Sequence, residues 1–262
     1  SGAFNIPPLE VPDILPQHLL MLKVAAEAMA DANLPLRQDR PRTGAVIGID
    51  FDFEATSFHL RWFLERHFPE WRKTRLGRLD GPQALAWLAG LQQACSPPLT
   101  ASRTLGALGS MVASRIARAF RFGGPSFVVS AGEASGLRAL EIGVRALQAG
   151  ELDSVLAGAV DLCGELRRIA AEQAVRLSSA SGAVRPFDRA ADGTLPGEGA
   201  VAVVLKRLDQ ALADGDRVYA VVRGIGAASG GGIDAATPAV EAYRRALDRA
   251  AQEAGIGPAS IG

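Results

Sequence analysis

The residues best placed to do chemistry lie in the run Gly123 to Leu137, Gly-Gly-Pro-Ser-Phe-Val-Val-Ser-Ala-Gly-Glu-Ala-Ser-Gly-Leu. A β-branched stretch, Phe127 to Ser130, passes through a turn of small residues into an apolar-periodic helix, Gly136 to Gln148. This strand–turn–helix layout puts Glu133 at a helix N-terminus, where the helix dipole stabilises a carboxylate by about 0.3–1 kcal/mol. Glu133 therefore reads first as a dipole-matched structural residue and second as a catalytic carboxylate. Other groups that do chemistry are sparse. His59 and His67 stand among Phe58, Trp62, Phe63 and Trp71, but no cysteine or carboxylate completes a ligand pattern around them. The spacing predicts a packed helix with partly buried histidines, and core or groove packing for Trp62 and Trp71. Cys95 and Cys163 lack metal-ligand spacing, and no metal site is expected.

The elements that must position Glu133 follow from periodicity. Pro7, Pro8, Pro12 and Pro16 make residues 1–16 an extended lead-in, after which Gln17 to Ala32 repeats apolar residues at helical spacing. Thr43 to Ile49 is an apolar run of the buried-strand type. Residues 75–100 hold Gly77, Gly81, Pro82, Pro97 and Pro98 around a helical Gln83 to Gln93, an insertion-like excursion before a helix over Leu108 to Phe120. Strands are expected at Phe127 to Ser130, Ser154 to Val160, Val201 to Leu208 and Val218 to Ile225, with helices between them, so the fold class is α/β with a mostly parallel sheet packed between helices. The glycine-rich stretch from Gly226 lacks both the Lys-Ser/Thr ending of a phosphate loop and the Gly-x-Gly-x-x-Gly of a nucleotide site, and reads as a flexible loop. Pro238 to Gly255 is a final amphipathic helix, with Pro at its start and Gly at its end.

Composition excludes several classes. The 262 residues are 48% hydrophobic, ample for a core, and carry 28 basic and 28 acidic side chains. No global field attracts nucleic acid or an anionic membrane. No stretch approaches the roughly 20 apolar residues that span a bilayer, and the opening Ser1 to Pro8 has no charged or apolar leader region. Two cysteines give no disulfide framework, and a reduced, cytoplasmic compartment is expected.

The elbow run resembles the nucleophile elbow of β-ketoacyl synthases, in which Gly-Pro-Ser-Phe leads into a strand and a reactive cysteine opens the next helix. A second stretch, Arg-Pro-Phe-Asp-Arg-Ala-Ala-Asp-Gly-Thr-Leu-Pro-Gly-Glu-Gly-Ala from Arg185 to Ala200, resembles that family's signature. With Ala157 to Asp161 and the opening helix, the resemblance covers most of residues 8–262. It implies the N-terminal half of a thiolase-like fold over 17–262, with 226–262 beginning the crossover to a second half. On this alignment Glu133 takes the place of the nucleophilic cysteine, so no catalytic residue is assigned, and Gly132, Glu133, Ala134 and Ser135 form a vacated elbow. Arg185, Phe187, Asp188, Asp192 and Glu198 fall in the turn that supports the active-site floor. There, capping and loop hydrogen bonds, including an Arg185–Asp188 pair, are preferred to a metal site. The strand Phe127, Val128, Val129 and Ser130 falls on the family's dimer strand. The family's catalytic histidines and lysine belong to segments after the point where this sequence stops, and His18, His59 and His67 map onto none of them.

A thiolate is needed to hold an acyl chain as a thioester, and a carboxylate replaces it poorly. The resemblance thus implies a non-catalytic, chain-length-factor-like partner of an iterative, polyunsaturated-fatty-acid-type synthase. It would dimerise with an active ketosynthase, or pack with its own second half, and shape the acyl channel. It implies no cofactor of its own, acyl chains arriving on the phosphopantetheine of acyl carrier protein. The alternative is a malonyl-carrier-protein decarboxylase of the loading type, in which glutamine replaces cysteine. An ionised Glu133 weakens that case, since it donates no hydrogen bond and repels a malonyl group.

Overall fold

The computed structural model describes residues 4, 6–74, 80–162, 164–175, 178–186, 188–231, 239–257 and 260. Cys163, Phe187, Gly77 and Pro238, singled out above, lie outside the described residues. The elements are α1 (Pro16–Asp31), β1 (Thr43–Ile49), α2 (Phe58–Thr74), α3 (Gly81–Cys95), α4 (Ala101–Ala107), α5 (Met111–Phe120), β2 (Ser126–Val129), α6 (Ser135–Gln148), β3 (Ser154–Asp161), α7 (Leu166–Val175), β4 (Gly199–Lys206), α8 (Leu208–Ala213) and α9 (Val240–Ala254). They divide into two compact units, one of residues 1–169 with 196–205 and the other of 170–195 with 206–262.

The first unit is built on a sheet of order β2-β1-β3-β4. β1 runs parallel to both β2 and β3, with Ala45 opposite Ser126 and Leu156. Every residue of β1 is buried, as expected of a parallel strand covered on both faces. Ala45, Ile47 and Ile49 pack under Met21, Leu22, Ala25 and Met29 of α1 and Val112, Ala113, Ile116 and Phe120 of α5. Val46, on the opposite face, joins Ala139 and Leu147 of α6 and Val155. Two helical layers thus enclose the sheet.

The predicted strand over Thr43 to Ile49 is found with those bounds, and most other elements lie within two residues of their expected ends. Four expectations need correction. The lead-in is not extended throughout: Val11–Asp13 form a turn of 3-10 helix and Pro16 already opens α1. Residues 218–225 make no ladder. In the second unit the main chain beyond them is held instead by side chains of α9: Arg245 donates to the Ser229 carbonyl at 2.7 Å and Glu253 accepts from the Ile225 N–H at 3.1 Å. Trp62 is 56% exposed and His59 is also exposed. His59 stacks on Phe58 at 4.2 Å on the outside of α2, whereas His67, half-buried as expected, lies tilted against Phe63 at 4.3 Å. The buried face of α2 is the narrower one, where Phe68 and Leu64 meet Ala84 and Leu88 of α3. Arg61 fixes that hairpin by donating to the carbonyls of Gln92 and Ser96 at the end of α3, at 2.8 and 2.6 Å. Helices α4 and α7 were not expected. Thr100 caps α4 by accepting from Arg103 N–H, and Glu165 caps α7 by accepting from the N–H groups of Arg167 and Arg168.

His18, near the start of α1, is the buried histidine. It is 1% exposed, and neither ring nitrogen has a hydrogen-bond partner among the described residues. Burial, with the nearby Arg115 guanidinium, lowers its pKa from 6.5 to about 4. The ring is therefore neutral in the folded protein and takes up a proton more readily when unfolded. Its contribution to stability is complete above pH 6.5 and is lost as pH falls towards 4, by up to about 3 kcal/mol. Denaturant titrations from pH 7.5 to 4 are expected to show this loss, and His18→Leu to flatten it.

Candidate vacated active site

The elbow is shaped by its glycines and one serine. After β2 the chain turns at Gly132, whose φ of +56° lies in the left-handed region that glycine tolerates. Ser135 locks the turn: its Oγ donates to the Gly132 carbonyl at 2.6 Å and accepts from the Ala131 N–H at 2.8 Å. The tight turn delays the helix, which starts at Ser135 behind an Ala134 cap. Glu133 therefore precedes the cap and does not open the helix, and it is exposed. β2 ends at Val129, so Ser130 lies just outside the strand.

The elbow rests on the sheet through missing side chains. A Cβ on Gly48 of β1 would come within 2.6–2.7 Å of the Ser135 and Gly136 main chain, and one on Gly136 within 3.0 Å of the Ala159 Cβ in β3. The helix N-terminus is thereby set directly against the carboxyl ends of β1 and β3.

Those strand ends carry a charged group the sequence reading missed. Asp50 follows β1 and Asp161 ends β3, brought side by side by the Ile49–Val160 register. Arg168 spans them, reaching the Asp50 carboxylate at 2.9 Å and that of Asp161 at 3.7 Å while donating to the Phe51 carbonyl at 3.0 Å. Arg167 holds Glu165 at 2.6 Å, Ser57 Oγ at 3.0 Å and the Phe53 carbonyl at 3.1 Å. Burial raises the pKa of nearby Asp52, and the charges of Glu54, Asp161 and Glu165 add to the effect. The available signal was the Arg167–Arg168 pair a few residues beyond the end of a strand.

The remaining predicted residues are dispersed. Glu198, in the first unit, accepts from the Gly164 N–H at 2.7 Å and so ties the approach to β4 to the chain leaving β3. Arg185, Asp188 and Asp192 belong to the second unit. Arg185 and Asp188 do not form the expected pair. Each turns to Ala190, Arg185 donating to its carbonyl and Asp188 accepting from its N–H at 2.8 Å, because a short Asx-type turn satisfies the aspartate locally. Asp192 accepts from Ser179 Oγ at 2.6 Å and the Ser181 N–H at 2.8 Å, bonds that hold its pKa below the usual carboxylate value. Among the described residues no three histidine, cysteine, aspartate or glutamate side chains converge as metal ligands.

A helix-clad, largely parallel sheet with a serine-locked elbow at its carboxyl edge defines an α/β protein of the thiolase-like class. Residues 1–211 match the β-ketoacyl synthase N-terminal domain, and the chain belongs to that family. It is 34% identical over 264 aligned residues to a mycocerosic acid synthase-like polyketide synthase of Mycobacterium tuberculosis, an alignment covering 99% of this chain and 11% of that protein. It is 44% identical over 159 residues to a phthioceranic/hydroxyphthioceranic acid synthase of Mycobacterium bovis, covering 60% of this chain and 8% of that protein. Among solved structures it superposes on the ketosynthase from module 1 of the bacillaene synthase of Bacillus amyloliquefaciens with a TM-score of 0.75 and 25% identity, over 100% of this chain and 40% of the other. The PfaC keto synthase-chain length factor gives a TM-score of 0.76 at 23% identity, over 96% of this chain and 26% of that one. The chain thus spans a minor part of each of these proteins.

No helix among the described residues is long and apolar enough to cross a membrane.

The geometry predicts which elbow residues matter for folding. Ser135→Ala, which leaves the Ala131 N–H without its acceptor and removes one of two donors to the Gly132 carbonyl, is expected to cost about 1–3 kcal/mol. Gly48→Ala forces a main-chain shift and is expected to cost a similar ~1–3 kcal/mol, while exposed Ser130→Ala stays within about 0.5 kcal/mol. Equilibrium denaturation of the three variants checks the ranking.

Proposed function

We propose that this chain is a non-catalytic, chain-length-factor-like partner in an iterative fatty acid or polyketide synthase, shaping the acyl channel of an active ketosynthase with which it dimerises. The observation that carries this reading is Glu133 in a tight elbow seated on the sheet, with left-handed Gly132, the Ser135 clamp and close approach to Gly48. Where the resembling family carries its thiol, this elbow presents an exposed carboxylate, which cannot hold a thioester. Likeness to the keto synthase-chain length factor protein agrees at the level of fold. β2 is a sheet edge, hydrogen-bonded only to β1 within the sheet, and Phe127 on it is exposed. Phe127 to Val129 is the segment through which pairing with the ketosynthase is proposed. Acyl chains reach the assembly on the phosphopantetheine arm of acyl carrier protein, and the chain needs no cofactor of its own. Glu198, which holds the Gly164 N–H, acts as part of the supporting floor.

The test is intact-mass analysis after incubation with acyl-carrier-protein substrates. No covalent acyl adduct is expected on the unmodified chain, and Glu133→Cys alone is expected to give no condensation product, because a thiolate also needs positioned groups for decarboxylation and proton transfer. A stoichiometric adduct on the unmodified chain sinks the proposal. Decarboxylation of malonyl carrier protein that disappears in Glu133→Ala establishes the decarboxylase instead.

A further inference from the structure

The carboxyl ends of parallel strands are where α/β sheets open the crevice that receives a ligand. In this chain that position is stitched shut. Asp50 and Asp161 stand side by side at the ends of β1 and β3, and Asp50 is two residues beyond Gly48, the glycine on which the elbow rests. A strand advances about 3.3 Å per residue, so the carboxylates lie roughly one side-chain length from the elbow's contact with the sheet. Arg168 crosses both of them with its side chain only 14% exposed and is further held by the Phe51 carbonyl. Arg167, paired with Glu165 of its own loop, fastens the two loops through the Phe53 carbonyl and Ser57, with its guanidinium 5.9 Å over the Phe53 ring. The segments 50–57 and 161–168 are thereby joined by ion pairs and main-chain hydrogen bonds at the one end of the sheet where an acyl chain would approach the elbow.

We propose that Arg168 is a specificity-determining residue: by bridging Asp50 and Asp161 it fills the crevice beside the elbow with paired charge and excludes an apolar acyl chain from it. An alkyl chain entering there separates the Arg168–Asp50 pair, whose side chains are 14% and 30% exposed, and leaves largely shielded charges without a partner, an unfavourable exchange. The inference rests on the reading of this chain as a ketosynthase-like partner. It adds that the chain bounds the channel from outside and does not house the acyl group at its own elbow.

The experiment uses the full chain and a neutral acyl pantetheine carrying a diazirine at the end of its alkyl group. After irradiation and digestion, peptides covering 50–57 and 161–168 are expected to be unlabelled in the unmodified chain. They are expected to be labelled in Asp50→Asn/Asp161→Asn/Arg168→Leu, where the charge is gone but the volume is nearly kept, with binding about tenfold tighter. Labelling of these peptides in the unmodified chain, or equal affinity in the two proteins, overturns the proposal. Arg168→Met, which keeps the stem, provides a second reading if the triple variant does not fold: labelling that rises supports the plug and labelling that stays absent overturns it. The partner reading fails separately, through a covalent acyl adduct detected by intact mass on the unmodified chain.

Discussion

The structure depends on β1 being buried along its whole length. A strand with no polar face needs cover on both sides, and α1 with α5 on one side and α6 on the other supply it. That demand fixes the layers, and the layers fix the elbow, because α6 is both the cover for β1 and the helix that the elbow starts. Gly48 is the point where the two roles meet, its missing side chain letting the helix start touch the strand. The elbow is therefore positioned by core packing, not by its own loop.

This explains why so much of the first unit was legible in the sequence. β1 announces itself as seven apolar or small residues, and α6 by apolar spacing behind a run of small residues. What escaped the reading has a common physical character. Helices α4 and α7 are started by side-chain caps, Thr100 and Glu165, and have little apolar periodicity to betray them. The outward turn of Trp62 and His59 reflects a helix whose aromatic residues go round most of its circumference, so that periodicity could not choose the buried face. The Arg168 bridge joins residues more than a hundred positions apart and appears only once the strand register is known.

The stretch 218–230 shows the reverse failure, a strand-like sequence without a strand. Its β-branched residues, Val218, Val221, Val222 and Ile225, suit a sheet, but in the second unit no ladder forms along it. Helix α9 offers Ala242, Ala246, Ala250 and Ala254 at four-residue spacing, and Gly224, Gly226 and Gly230 lie against these alanines or the helix backbone beside them. Close main-chain approach to a helix here takes the place of pairing with a neighbour.

The pairing of β1 with β3 has a consequence for how the chain is made. Thr43 and Ser154 face each other across 111 positions of sequence and share a hydrogen bond between their hydroxyls. During synthesis from the N-terminus at about 5–20 residues per second, β1 waits roughly 5–20 s for its partner to appear. Throughout that interval the β3-facing edge of a largely apolar strand has free backbone groups available to any other nascent chain. Such a protein needs an early cover, and α1 and α5, which are made before α6, can provide it. Biosynthesis thus places the first protective layer on the α1–α5 side, leaving the elbow side to close last.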